Sequence, residues 1–263
     1  MSSFLNFPAE TFPKETFTVI VPAYNEEKLI GSALEEICEF IANNNLPWNV
    51  IVSVDGKDRT KDIVSSYSRK FSFVSCLYSN ERSGKGSAVR RVLDSIDTDY
   101  VILMDADKSM AFNTIIKGLH LLGEFDGLIF SRYFKENKIP LVRRLLSRSF
   151  NVLVRASLQL STKDTQTGYK VFKTGPFMAA MKKVGSTNTF FDIALLYHLK
   201  EQRAKITEVA SSYVHRDESK FHPLGEIVGQ GMSLVAFRLR HSRFYRYVPQ
   251  QLVVLYYKIF KWI

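Results

Sequence analysis

The stretch 105-DAD-107 sets two carboxylates one residue apart, directly behind the apolar run 100-YVILM-104. In extended backbone, alternate side chains fall on one side, roughly 6 to 7 Å apart. Like charges that close repel, and one of them takes up a proton unless a cation lies between them. The chemistry such a pair offers is therefore a divalent metal held by hard oxygen donors. The same spacing suits a plain helix cap, since a helical pattern begins near Ala111. A second copy, 97-DTD-99, reads as a solvated turn, so the spacing alone does not choose.

The elements around the pair narrow the choice. Five runs read as short buried strands: 17-FTVIVP-22, 48-WNVIVSV-54, 73-FVSCLYS-79, 100-YVILM-104 and 127-GLIFS-131. Between them, Leu29, Ile30, Ala33, Leu34, Ile37, Cys38 and Ile41 share one helical face behind Asn25 as N-cap. Further helices are predicted over Thr60 to Phe71, Gly86 to Ile96 and Asn113 to Leu122. This alternation predicts an α/β fold with a mostly parallel, Rossmann-like sheet flanked by helices. Ligands of such sheets bind beyond the carboxyl ends of the strands. Those ends carry Pro22, Tyr24, Asn25 and Glu26, then Asp55, then 82-RSGKG-86 with Lys85, then Asp105 and Asp107, then Arg132. Every predicted strand thus delivers polar or special-backbone residues to one edge, which predicts an active site there. No Gly-x-Gly-x-x-Gly follows the first strand, and the GKG lacks the flanking residues of a P-loop. Acids and a tyrosine for a base or ribose, with a metal pair for phosphates, make a nucleotide-sugar layout.

The net charge of +10 is confined to two segments. Residues 132 to 163 carry +7 and residues 238 to 263 carry +6, and both are rich in Leu, Val, Phe and Tyr. Cations interleaved with apolar residues suit a membrane surface and disfavour nucleic acid. The stretch 243-RFYRYVPQQLVVLYYKIFKWI-263 is too interrupted to span a bilayer and suits its interface, a docked C-terminal helix being the plain alternative. The expected layout is a tail over 1–16, a catalytic domain over 17–240 and an amphipathic membrane segment over 241–263. Cys38 and Cys76 read as buried free thiols of a reducing compartment. The N-terminus lacks the plan of a signal peptide, which predicts a peripheral protein on the cytoplasmic face of a membrane.

Taken together, 21-VPAYNEE-27, 55-DGKDRT-60, 84-GKGSAVR-90 and 105-DAD-107 resemble the family 2 glycosyltransferases with the GT-A fold. The motifs 131-SRY-133, 164-DTQTGYKVF-172, 191-FDIALL-196 and 216-RDESK-220 are similar to the branch that loads sugars onto dolichyl or related polyprenyl phosphates. The DTQTGYK block looks more like the glucose synthases of that branch than the mannose synthases. The resemblance implies a metal-dependent hexosyltransferase that takes a nucleotide-sugar donor, UDP-glucose first and GDP-mannose second, and a polyprenyl phosphate acceptor. It implies that Pro22, Tyr24, Glu26 and Asp55 hold the nucleoside, and that Asp105 and Asp107 hold Mg2+ or Mn2+ on the diphosphate. Arg132 and Arg143 would grip the lipid phosphate, and Arg216 and Lys220 would close over the phosphates. The nucleotide loop, Val54-Asp55-Gly56-Lys57, departs from the usual Asp-Asp-Gly-Ser, and Ser109 stands where mannose synthases can offer glutamine.

Several residues keep two readings. Lys85, flanked by glycines at a helix start, suits a phosphate contact or a tight turn. Arg143, Arg144, Arg148 and Arg155 lie along a helix whose other face is Leu141, Leu145, Val152 and Leu153. A solvated cationic face is the plain reading there; Arg143 is assigned to phosphate and the other three to the membrane. Asp164 and Gln166 suit a site-lining turn or a cap, and Asp192 suits catalysis or the cap of FDIALLYHLKE. A phosphate acceptor is already anionic at neutral pH, with a second pKa of about 6. It needs arginines to orient it, whereas a glycan hydroxyl, the rival acceptor, needs a general base such as Asp192.

Overall fold

Alternation along the first strand, β1 (Phe17–Tyr24), sets the architecture. Phe17, Val19, Val21 and Ala23 enter one apolar core and Ile20 enters another. A strand buried on both faces must lie between two layers of helices. β4 (Tyr100–Leu103) repeats the pattern, with Tyr100 and Ile102 in the first core and Val101 and Leu103 in the second. The computed structural model describes residues 14–133, 141–185, 188, 190–214 and 223–242, without the side chains of 141–143 and 223–228.

β2 (Asn49–Asp55), β3 (Val74–Ser79), β5 (Gly127–Ser131), β6 (Lys170–Lys173) and β7 (Ile206–Ala210) complete a seven-stranded sheet of order β3-β2-β1-β4-β6-β5-β7. The five predicted strands are present, their ends within two residues of expectation. β6 and β7 were not predicted. β6 is antiparallel to both β4 and β5, while the other pairs are parallel. The start of β6, rather than its end, therefore lies at the carboxyl edge of the parallel strands, and it delivers 164-DTQTGY-169 there.

α1 (Ile30–Asn43), α2 (Thr60–Lys70) and α4 (Phe112–Gly118) cover the first core. α3 (Lys85–Val92), α5 (Leu141–Leu158), α6 (Thr174–Met181) and α7 (Phe191–Glu201) cover the second. α8 (Pro223–Arg240) packs on α5 and adds Leu234 and Phe237 to that core. Phe17 packs on Trp48 at 4.4 Å and stacks on Tyr100 at 5.1 Å between ring centroids, each such pair adding about 1 kcal/mol beyond its buried area.

Some expectations change. Leu29, not Asn25, is the N-cap residue of α1. Asn25 is instead left-handed, with φ 53°, and its Oδ1 accepts a hydrogen bond from Lys57 N at 3.2 Å, tying the ends of β1 and β2 together. The helix expected over 86–96 ends at Val92 and tightens into a 3-10 turn at Leu93–Ser95. The one expected over 113–122 does likewise at Leu119–Gly123. Asp99 of the DTD turn is exposed yet engaged, accepting from Thr16 N and Oγ1 at 2.8 Å each. Cys38 is buried, and its desolvation pushes the thiol pKa up to about 12, whereas Cys76 is only half-buried. Along α5 the buried face is Phe150, Asn151, Val154 and Leu158. Leu145, Val152 and Leu153, expected on a face apart from the arginines, are 64%, 61% and 53% exposed. Among the described residues no helix is long and apolar enough to cross a membrane. The segment 243–263 lies outside them.

Candidate active site

Asp105 and Asp107 leave β4 at the carboxyl edge, and neither caps α4. Its first amide, Phe112 N, donates to Glu36 Oε1 of α1 at 2.8 Å, and its N-cap residue is Ala111. Asp107 is oriented by three donors: Ser109 N at 2.9 Å and Tyr169 OH at 3.1 Å on Oδ1, and Ser109 Oγ at 2.5 Å on Oδ2. Ser109 also accepts from Val214 N at 2.8 Å, so it joins Asp107 to the segment that follows β7. Burial, then the charges of Asp107 and Asp105, hold the Tyr169 pKa well above the usual phenol value, which keeps it a donor.

Asp105 lies against the bare Cα of Gly168. A Cβ there would stand 1.7 Å from Asp105 Oδ2. On its other side Lys85 Nζ approaches Asp105 Oδ1 at 2.9 Å and Asp192 Oδ2 at 3.2 Å. Asp192 Oδ1 in turn accepts from Lys170 Nζ at 2.6 Å, and Lys170 also donates to the Thr167 carbonyl. A chain of alternating charge, Asp105, Lys85, Asp192, Lys170, thus runs from the half-exposed edge into the core. Burial works against the Lys85 charge, but Asp105 and Asp192 outweigh it and hold the pKa above the ordinary lysine value. Burial opposes ionisation of Asp105 as well, and Lys85 outweighs it, leaving the carboxyl below its usual range. For Lys170, burial wins over Asp192 and lowers the pKa.

With Asp107, three carboxylates face two ammoniums, so the cluster keeps an excess negative charge beside an edge where Asp105 is 36% exposed. The two aspartates are hard oxygen donors suited to Mg2+ or Mn2+. Among the described residues no three His, Cys, Asp or Glu side chains group closely enough to hold an ion by themselves. An ion on Asp105 and Asp107 would therefore complete its shell with water or phosphate oxygens, as magnesium sites commonly do.

Arg132, behind β5, grips Asp164 with a two-pronged pair, Nε to Oδ2 at 2.9 Å and Nη2 to Oδ1 at 2.8 Å. Its backbone N donates to Oδ2 as well, at 2.9 Å. Burial opposes both charges, and their mutual attraction raises the Arg132 pKa and lowers that of Asp164. Asp164 is fully buried, held at its backbone by Glu208 Oε1 at 2.9 Å, so it is a support for Arg132 rather than a cap. Tyr133 and Tyr213 lie beside the guanidinium, their centroids 5.9 and 5.8 Å from its carbon.

At the other end of the edge, Tyr24 is exposed beneath Arg82, 4.7 Å from its centroid, next to half-buried Pro22. Glu26 is anchored by its backbone N to Thr60 Oγ1 at 2.8 Å. Asp55 is buried and accepts from Ser83 N and Oγ at 2.7 Å and from Arg91 Nη2 at 2.8 Å, which pins the 82–86 loop to β2. Gly56 has φ 109°, and a Cβ there would meet Asn25 Oδ1 at 2.1 Å. Gln166 pairs with Gln230 of α8. Asp192 lies in the first turn of α7, whose N-cap residue is Phe190. Arg143 belongs to α5 by its backbone, and Arg216 and Lys220 fall outside the described residues. Sequence reasoning missed Lys170, Tyr169, Arg91, Ser83 and Asn151; Tyr169 and Lys170 stand inside the quoted DTQTGYKVF block and Ser83 inside the quoted RSGKG block, and none of them was singled out.

The family model for glycosyl transferase family 2 matches residues 18–183. A curated relative from Drosophila melanogaster, named a dolichyl-phosphate beta-glucosyltransferase, is 30% identical over 257 residues, or 90% of this chain and 79% of that one. A Trichomonas vaginalis relative of the same designation is 28% identical over 260 residues, 92% of this chain and 78% of its own. Among solved structures, glucosyl-3-phosphoglycerate synthase from Mycobacterium tuberculosis, in complex with Mn2+, UDP and glucosyl-3-phosphoglycerate, has a TM-score of 0.63 and 19% identity. It matches 91% of this chain and 85% of that chain. At that identity the likeness speaks to the fold, a GT-A sheet with flanking helices.

Proposed function

Because the chain belongs to glycosyl transferase family 2, we propose that it moves glucose from UDP-glucose to dolichyl or a related polyprenyl phosphate, with inversion at the anomeric carbon. The names of its relatives support the sugar and the lipid class, and the UDP and Mn2+ held by the solved neighbour support the donor and the metal. The observation that carries the reading is one sheet edge with an acid pair in its middle, a lysine shared by Asp105 and Asp192, and a buttressed arginine beyond it.

Tyr24, Pro22, Glu26 and the Asp55-pinned loop line the nucleoside end, with Asp105 and Asp107 at the diphosphate. A divalent ion on that pair would draw electron density from the diphosphate as it leaves. Lys85, fixed between two carboxylates, presents a permanent positive charge to the same oxygens. Arg132, held rigid by Asp164, orients the acceptor phosphate and offsets its repulsion from the donor. One phosphate oxygen attacks the anomeric carbon as its bond to the diphosphate breaks, so one displacement inverts the centre. Asp192 has an ammonium on each oxygen, which suits a support for Lys85 and Lys170 better than a base for a glycan hydroxyl. The exposed Leu145, Val152 and Leu153 among the arginines of α5 support peripheral contact with an anionic membrane surface.

The test is to incubate the purified chain with radiolabelled UDP-glucose or GDP-mannose and a short polyprenyl phosphate. Label from UDP-glucose is expected in an organic-extractable, mild-acid-labile product. Label that stays in water, or that enters only from GDP-mannose, rejects the proposal.

A further inference from the structure

Asn151 lies in the middle of α5 and is 2% exposed. Asparagine is a weak helix former, and a buried amide is tolerated only when it is bonded. This one is fully used. Its Oδ1 accepts from Thr165 N at 2.9 Å and from Thr165 Oγ1 at 2.6 Å. Its Nδ2 donates to Tyr133 OH and to the Ser147 carbonyl, each at 2.9 Å. Tyr133 OH also bonds to Ser147 Oγ, one turn earlier in α5.

The two segments that meet at Asn151 are those that build the Arg132 site. Tyr133 follows Arg132 directly and Thr165 follows Asp164 directly, and Arg132 and Asp164 are themselves joined by the two-pronged pair. Asn151, Tyr133, Arg132, Asp164 and Thr165 therefore close a ring, and its only member from α5 is Asn151. The helix so connected carries Leu145, Val152 and Leu153 outward, and its Arg148 lies over the Tyr133 ring, 5.6 Å from the centroid. An apolar side chain at 151 would fill the same space beside Phe150 and Val154 and would connect neither segment.

We infer that Asn151 is a positioning residue for the acceptor: it fixes the Arg132–Asp164 pair in register with α5, the helix that presents an apolar and cationic face. The inference rests on the proposed acceptor role of Arg132. None of the bonded partners Tyr133, Ser147 and Thr165 belongs to the donor end of the edge. Loosening the ring therefore displaces the acceptor's guanidinium and leaves the donor's contacts in place.

The experiment measures KM separately for UDP-glucose and for a short polyprenyl phosphate in the wild type, Asn151→Ala and Tyr133→Phe, with thermal melting of each. Asn151→Ala is expected to raise the KM for the polyprenyl phosphate about tenfold, the size of effect that lost hydrogen bonds produce. The KM for UDP-glucose should stay within about twofold. Tyr133→Phe, which removes one hydroxyl and keeps the ring, should give a smaller rise in the same constant. Equal shifts in both constants would mark general loosening and overturn the inference, as would an unchanged acceptor KM. If Asn151→Ala does not fold, Tyr133→Phe decides by the same criterion. A wild type that makes no lipid-linked sugar overturns the acceptor reading itself, and is told apart because it fails before any variant is compared.

Discussion

The buried residues of the site hold their charges by pairing, and this makes them sensitive to single changes. Asp164 is opposed by burial and stabilised by Arg132, so its pKa in the folded protein lies below the ordinary aspartate value of about 3.9. A carboxylate shifted that way contributes stability above its unfolded pKa and loses it as pH falls toward the folded one. Asp164→Asn is expected to lower stability at neutral pH by about 1 to 3 kcal/mol, since the guanidinium of Arg132, 21% exposed, loses its paired acceptor. It should also flatten the loss of stability below about pH 4, which urea melts across pH will read. Gly168 has a different sensitivity, because its missing Cβ is where the Asp105 carboxylate rests. Gly168→Ala should fold, since the displaced group is a side-chain end, yet lose transfer on the order of 100-fold, the scale that a misplaced catalytic group produces. Mn2+ titration of the same variant should show weaker binding; unchanged binding would detach Asp105 from the metal role.

At the scale of elements, legibility followed burial pattern. β1, β2, β4 and β5 were readable because near-continuous apolar runs mark strands covered on both faces, and the half-buried edge strand β3 because its run 73-FVSCLYS-79 falls between two helical patterns. β6 was not, because KVFK has two lysines in four residues, and nothing in its composition shows that Lys170 turns inward to meet Asp192. β7, ITEVA, lies at the sheet's edge and is only half-buried, which weakens its pattern too. In the site, the residues that end strands were legible as a set. Those that act through another side chain, such as Ser109 on Asp107 or Arg91 on Asp55, depend on tertiary approach that spacing does not encode. The cap of α4 is one such case. Glu36→Ala removes the carboxylate that accepts from Phe112 N, and should cost about 1 kcal/mol in urea unfolding. No loss would show that water replaces the cap.

For the whole molecule, the basic charge and the exposed apolar residues gather on the same helices. Arg144, Arg148 and Arg155 share α5 with Leu145, Val152 and Leu153, and Arg238 and Arg240 share α8 with exposed Val235 and Leu239. Replacing Leu145 and Val152 together by glutamate is expected to weaken cosedimentation with anionic vesicles about tenfold, as two inserted side chains are lost. Equal pelleting by both forms would move the contact elsewhere. The sheet order carries one more consequence, for synthesis. β3, β2, β1 and β4 form a contiguous parallel half from residues 17–103, and this half can pair as soon as it leaves the ribosome. The free edge of β4 then waits for β6, some 70 residues later, while β5, made in between, has no partner until β6 or β7 arrives. An unpaired strand edge is where chains stick to one another. The late strand that brings 164-DTQTGY-169 to the carboxyl edge is thus also the one that joins the two halves of the nascent sheet, so a chain interrupted before residue 170 is expected to lack transfer activity and to aggregate.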